Sequence, residues 1–285
     1  MTLNPAMHIT GKTRIYGLVG DPVITAKSPA LWNQFFIDQG VDAVCIPFWV
    51  QADDLAAFVI GARAMRNLSG LLVTMPHKQA MLTFVDDLQP TARQAQALNV
   101  VRREDDGRWT GAMFDGVGGV LGMKWDGGHP ADQAVLLLGA GGSGRAIAFA
   151  VAAAGCRELA IFDVDERRAK ELADSVTAAT GCETYFSAPD PRGYGIVINA
   201  TPLGMRPDDP MPINPDRLEP GTFVVDITTA PAPTPLLRAA QARGCRTQDG
   251  RPLHEGQAVY TMRFLGFDYR PNGRSASDLD LPSLP

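Results

Sequence analysis

Val135-Leu136-Leu137-Leu138-Gly139-Ala140-Gly141-Gly142-Ser143-Gly144-Arg145 is the stretch that decides the fold. The continuous apolar run from Ala134 to Leu138 reads as a strand buried on both faces, as in a parallel sheet covered by helices on each side. Glycines follow at once in Gly-x-Gly-x-x-Gly spacing, and a long Ala-rich helix is expected from Arg145 to Ala154. In such a loop one glycine makes a tight turn, a second lets backbone approach a pyrophosphate, and a third lets helix and strand pack closely. The helix start then offers unpaired N–H groups and a positive dipole end to the phosphates. Gly139, Gly141, Gly142, Ser143 and Gly144 are therefore the expected dinucleotide-binding residues. A glycine-rich turn without a ligand is the alternative, and what comes next argues against it.

The next strand, Leu159 to Phe162, ends in Asp163, at the spacing expected for the acid that meets the adenosine ribose. A carboxylate there accepts hydrogen bonds from the ribose hydroxyls and repels a 2′-phosphate, so the expected cofactor is NAD rather than NADP. Val164 and Asp165 follow where an arginine would favour the phosphate. Arg167 and Arg168 come later, on the helix Glu166 to Thr177. Arg168 is assigned to the adenine end of the cofactor, with a solvated helix face as the bland alternative.

Working outward, Ile196 to Asn199 and Thr222 to Asp226 read as further buried strands, and Pro235 to Arg243 as a helix. Before the glycine loop, Arg14 to Val19, Val44 to Val50 and Leu71 to Thr74 read as strands. Pro29 to Gln39, Ala52 to Met65 and Thr91 to Ala97 read as helices, the first with Ser28 as N-cap and Pro29 at its first position. Asn99 to Arg103 and Trp109 to Ala112 form a hairpin around Asp106-Gly107. A helix follows at Val117 to Met123. From Gly250 the pattern is helical and aromatic as far as Phe267, and Arg270 to Pro285 reads as a loosely held tail. Alternating strands and helices give an α/β chain with a largely parallel sheet.

The chain has 285 residues, 45% hydrophobic and 20% charged, with net charge −5. It carries no basic stretch, so no nucleic-acid or membrane-surface partner is expected. The N-terminus lacks a signal peptide's basic start and apolar core, and no apolar run is long enough to span a bilayer. Cys45, Cys156, Cys182 and Cys245 are scattered, as are the four histidines, so neither a disulfide framework nor a metal site is expected. A cytoplasmic location follows, and monomer and homodimer both stay open.

An ordered set of segments resembles the shikimate/quinate dehydrogenase family. The set runs from Tyr16-Gly17-Leu18-Val19-Gly20-Asp21-Pro22-Val23 and Lys27-Ser28-Pro29 through Val73-Thr74-Met75-Pro76-His77-Lys78, Asn99 and Asp115-Gly116-x-Gly118. It continues through the glycine loop, Asn199-Ala200-Thr201-Pro202-Leu203-Gly204-Met205 and Thr234-Pro235-Leu236-Leu237 to Gly250 and Gln257. The resemblance implies two domains. Residues 1–114, completed by 250–285, would form an α/β substrate domain, and residues 115–249 a Rossmann-type, doubly wound NAD-binding domain. It also implies reversible hydride transfer between a ring alcohol carbon and nicotinamide, with Lys78 and Asp115 as the catalytic pair. Ser28, Thr74, Asn99 and Gln257 would be substrate hydrogen-bonders. Thr201, Leu203, Met205, Ile227 and Gly250 would lie along the nicotinamide. Taken alone, Lys78 reads as a surface lysine after a Pro turn and Asp115 as a helix N-cap; the joint match is what assigns them.

The chain also departs from the family pattern. Ala26 stands where a serine is usual and Thr25 where a histidine is. Leu72 replaces an asparagine, Met113-Phe114 an Asn-Thr pair, and Thr229 a tyrosine. By the resemblance, the missing serine and tyrosine hold a substrate carboxylate, whereas the groups retained surround the ring hydroxyls. Each lost hydrogen bond to a carboxylate costs about 1.5–3 kcal/mol. The expectation is an altered pocket in which shikimate is a poor substrate. An NAD-binding regulatory or sensor protein with little turnover is the alternative.

Overall fold

A computed structural model describes residues 9–206, 208–228 and 233–271. Chain contacts divide it into two compact units, one ending at Met113 and completed by Met262–Tyr269, the other running from Phe114 to Thr261. The expected tail lies, beyond Pro271, outside the described residues.

The first unit contains β1 (Arg14–Gly20), α1 (Ser28–Asp38), β2 (Ala43–Trp49), α2 (Leu55–Ala64), β3 (Leu68–Val73), β4 (Asp87–Leu88), α3 (Pro90–Ala95), β5 (Val100–Arg103) and β6 (Trp109–Ala112). Its sheet has the order β2-β1-β3-β5-β6-β4. The β1, β2 and β3 pairings are parallel, while β5 runs antiparallel to both β3 and β6. The expected hairpin is present, its turn carried by Gly107 at φ +87°. Tyr16 of β1 packs against Trp32 and Phe36 of α1, and Phe267 closes on Tyr16 and Phe36.

Several expected boundaries are corrected here. Lys27, not Ser28, is the N-cap of α1, and it makes no side-chain capping bond. Pro29 does lie in the first turn, where its missing N–H costs nothing. The acids Asp53 and Asp54 belong to a short 3-10 turn that precedes α2. Helix α3 stops at Ala95 because Gln96 takes the left-handed conformation at φ +49°.

The second unit contains α4 (Asp115–Trp125), β7 (Ala134–Leu138), α5 (Gly142–Ala153), β8 (Glu158–Phe162), α6 (Glu166–Thr180), β9 (Glu183–Phe186), β10 (Ile196–Asn199), β11 (Phe223–Asp226), α7 (Pro235–Ala242), β12 (Arg246–Gln248) and α8 (Gly250–Phe264). The last residues of α8 belong to the first unit. All strands are parallel, in the order β12-β11-β10-β7-β8-β9. This is the doubly wound Rossmann-type order, which reverses direction between β7 and β10. The continuous apolar run of β7 is explained by the layers. Val135 and Leu137 face the core under α5 and α6, while Leu136 and Leu138 face the core under α7. Helix α5 opens at Gly142, three residues before the expected start, so the last motif glycine lies inside its first turn.

Candidate active site

The glycine loop leaves β7 at the switch point of the sheet, where open α/β sheets bind ligands. Gly139 has φ +97°, a conformation reserved for glycine, and a side chain on it would meet Ala200. A side chain on Gly144 would overlap the Gly139 carbonyl oxygen, so the loop can close only with glycine at that point. Gly141 is different. Nothing lies within 4 Å of a Cβ placed there, and as N-cap of α5 it makes no side-chain capping bond. The loop is thus tight on its inner side and open at the helix N-terminus, a cradle that fits a pyrophosphate.

Asp163 is 9% exposed and locks this cradle to β8. Its Oδ2 accepts the Ala140 N–H at 2.7 Å and its Oδ1 accepts the Asp165 N–H at 2.9 Å. A carboxylate has about four acceptor positions, so each oxygen keeps capacity for a ribose hydroxyl. Val164 is 94% exposed beside it. Asp165 caps α6 by accepting the Arg168 N–H. The Arg168 guanidinium stands 3.9 Å from Asp163 and 3.9 Å from Asp165, drawn to both acids. Arg167 pairs with Glu171 instead.

Two buried polar residues to which the sequence assigns no site role shape the rest of this end of the sheet. Asn199, at the end of β10, is fully buried. Its Oδ1 accepts the Thr201 N–H and hydroxyl, and its Nδ2 donates to the Leu203 carbonyl. The Thr201 hydroxyl also accepts the Leu203 N–H, which leaves Met205 half-exposed at the loop's end. Asp226, at the end of β11, accepts the Thr228 N–H and hydroxyl and the Thr234 hydroxyl. Ile227 and Gly250 are brought together: the Gly250 N–H donates to Thr228, and a side chain on Gly250 would overlap the Ile227 carbonyl oxygen. A polar residue ending a buried strand was the available signal for both Asn199 and Asp226.

Asp115 is 3% exposed in the first turn of α4, and Phe114, not Asp115, is the N-cap. Its Oδ2 accepts the Ser143 hydroxyl at 2.6 Å, so a residue of the glycine loop holds it directly. The glycines of α4 make this approach possible. A side chain on Gly116 would overlap the Ala146 carbonyl oxygen of α5, one on Gly118 the backbone of Gln257, and one on Gly122 the carbonyl of Pro252. The helix is thereby clasped between α5 and α8, which puts Asp115, Ser143 and Gln257 in one neighbourhood of the second unit.

The remaining expected residues gather at strand ends of the first unit. Thr74 follows β3 and donates its N–H to Val19. Asn99 is 3% exposed and accepts the Val73 N–H on its carbonyl. The Lys78 carbonyl accepts the Leu98 N–H, tying the Lys78 segment to Asn99. His77, 1% exposed, donates from Nε2 to the Val50 carbonyl at 2.7 Å and so braces that segment from below. Asp21 donates its N–H to Met75 and accepts the indole N–H of Trp49 at 2.6 Å. Ser28 is half-buried where the Asp21–Lys27 loop enters α1.

Of the departures from the family pattern, Leu72 is buried one residue before the end of β3 and Met113 is buried before α4. Phe114 stacks on Tyr260 of α8 at 5.9 Å between ring centroids. Thr229 lies outside the described residues. Among the described residues no cluster of His, Cys, Asp or Glu could hold a metal ion, and no helix is long and apolar enough to cross a membrane.

Comparisons with known proteins bear on the fold and the family. Residues 18–101 match the family model "Shikimate dehydrogenase substrate binding domain". The NADP(+) shikimate dehydrogenase of Rubrobacter xylanophilus is 36% identical over 261 residues, covering 90% of this chain and 92% of its own. Shikimate 5-dehydrogenase from Listeria monocytogenes, solved with shikimate and NAD, is 30% identical with a TM-score of 0.83, covering 92% of this chain and 94% of its own. The ligand-free 5-ketofructose reductase of Gluconobacter sp. strain CHM43 is also 30% identical, with a TM-score of 0.80, covering 94% of this chain and 96% of its own. With motif order, fold and relatives in agreement along nine-tenths of its length, the chain belongs to the shikimate/quinate dehydrogenase family of oxidoreductases.

Proposed function

We propose that the protein is an NAD-dependent dehydrogenase acting on a ring hydroxyl of a shikimate- or quinate-like polyol, through a pocket altered on the side that would receive a carboxylate. The observation that carries the cofactor preference is the carboxylate of Asp163 against the glycine loop, with exposed Val164 and acidic Asp165 beyond it. The nearest cation, Arg168, already faces these acids. A 2′-phosphate there would meet negative charge, although many relatives are named for NADP(+).

Bound nicotinamide would supply the hydride acceptor. The chain supplies the rest. Lys78 and Asp115 act together on the substrate hydroxyl, orienting it and taking its proton as the carbon loses hydride. Ser28, Thr74, Asn99 and Gln257 hold the remaining hydroxyls. Leu72 and Ala26 give no hydrogen bonds where the family has polar side chains, which favours a substrate with a less demanding or absent carboxylate. The Gluconobacter neighbour, named for a neutral keto sugar, supports that reading. The sensor alternative has less support, because both Lys78 and Asp115 are retained.

The test is NAD and NADP reduction at 340 nm, measured separately, with shikimate, quinate and a panel of neutral cyclic polyols. Turnover with NAD should fall by roughly 10²–10⁴-fold in Lys78→Ala while NAD binding persists. The double variant Ala26→Ser with Thr229→Tyr should improve shikimate turnover. Preference for NADP would overturn the cofactor reading, and no gain in the double variant would overturn the pocket reading.

A further inference from the structure

Cys156 and Cys182 hold their sulfurs 3.3 Å apart. Each follows a left-handed glycine that ends a helix, Gly155 at φ +83° after α5 and Gly181 at φ +73° after α6. The two turns repeat one local design at the starts of neighbouring parallel strands, where Glu158 of β8 pairs with Glu183 of β9. Nothing lies within 4 Å of a Cβ built on either glycine, so both turns lie in open space on that side. A disulfide sets its sulfurs about 2.05 Å apart, leaving a short travel to bond formation.

We propose that Cys156 and Cys182 form an oxidisable dithiol that a peroxide converts into a disulfide. Cys182, the more exposed of the two, loses its proton and attacks one peroxide oxygen. The O–O bond breaks, leaving a sulfenic acid on Cys182 and hydroxide, which takes up a proton to become water. The Cys156 sulfur then attacks the Cys182 sulfur, the S–S bond forms and the S–OH bond breaks. The departing hydroxide takes the Cys156 proton as a second water. Two thiols lose two electrons, and one peroxide becomes two waters. Burial, then the neighbouring Cys182, push the Cys156 thiol up to about 12, which argues against Cys156 as the first attacker.

The bridge would close a loop containing β8 and α6, at the end of the sheet opposite Asp163. Five residues of strand, about 17 Å, separate the two ends. Oxidation would therefore staple this βαβ unit without touching the glycine loop. Turnover should change less than about twofold, and the thermal midpoint should rise by roughly 5 °C.

The test treats the whole chain with hydrogen peroxide, alkylates it, digests it with trypsin and maps the peptides by mass. The expected species joins Ala146–Arg157 to Glu171–Arg192 and separates on reduction, while free thiols fall from the four in the sequence to two. Cys182→Ser should abolish both the linked species and the thermal shift. Recovery of the two peptides unlinked, with thiols intact or with Cys182 carried on to a sulfinic acid, would overturn the proposal, as would a bridge to Cys45 or Cys245.

Discussion

The hydroxyl of Ser143, in the first turn of α5, donates to Asp115 at 2.6 Å. The sequence reading assigned Ser143 to the cofactor, and its place in the loop is as expected. Its bond partner was not legible, because Asp115 lies 28 residues earlier and meets it only through the packing of α4 on α5. A hydrogen bond to a charged group is worth about 1.5–3 kcal/mol. Ser143→Ala is therefore expected to lower kcat about 10- to 100-fold while leaving the Kd for NAD within a few fold. Stopped-flow or steady-state rates set beside calorimetric NAD binding check this. An equal loss in both would assign Ser143 to the cofactor alone.

Among the elements, α4 depends most on residues without side chains. Gly118→Ala would drive a methyl into the Gln257 backbone, and overpacking of this kind costs about 1–3 kcal/mol. Gly61 of α2 has open space around it, so Gly61→Ala should stabilise by about 0.5–1 kcal/mol through helix propensity. Urea denaturation of the two variants should move the midpoints in opposite directions. This contrast also marks what sequence can reveal about elements. The strand β7 and the glycine loop were legible because burial on both faces and the demands of the turn constrain every residue in them. The strands β9 and β12 were missed because they are short sheet edges that bear polar residues, and β4 because it has only two residues. The N-cap of α1 was misplaced by one because Ser28 satisfies a composition rule that the backbone there does not use.

At the scale of the whole molecule, carboxylates in both units share one pH response. The Trp109 N–H bonded to Asp86, with help from Arg63, holds that carboxyl below its ordinary value. Burial pushes Glu104 up, but the bonds from Arg102 and Thr110 outweigh it and leave its value lowered. The Tyr185 hydroxyl lowers Glu158, and Arg192 lowers Asp190. A carboxyl depressed in the folded state contributes stability that is complete above its unfolded value, about 4, and is lost as pH falls through the folded value. The urea midpoint should thus vary little on these groups' account between pH 7 and about 5, then fall below about pH 4. Asp86→Asn should show a shallower acid fall than the parent, and an identical profile would remove Asp86 from the account.

Trp49 gives the molecule a built-in optical probe. Trp32 and Trp109 are 2% and 1% exposed and Trp125 is mostly covered, whereas Trp49 is 57% exposed with its indole N–H on Asp21, next to the segment that carries Thr74 and Lys78. An indole that meets water emits further to the red and is quenched by dissolved iodide, so the red edge of the emission belongs largely to this one ring. A polyol settling among Ser28, Thr74 and Lys78 would shield it, shifting that edge to the blue and blunting the quenching, and Trp49→Phe would erase the signal. Substrates could then be ranked by fluorescence alone, before any hydride has moved.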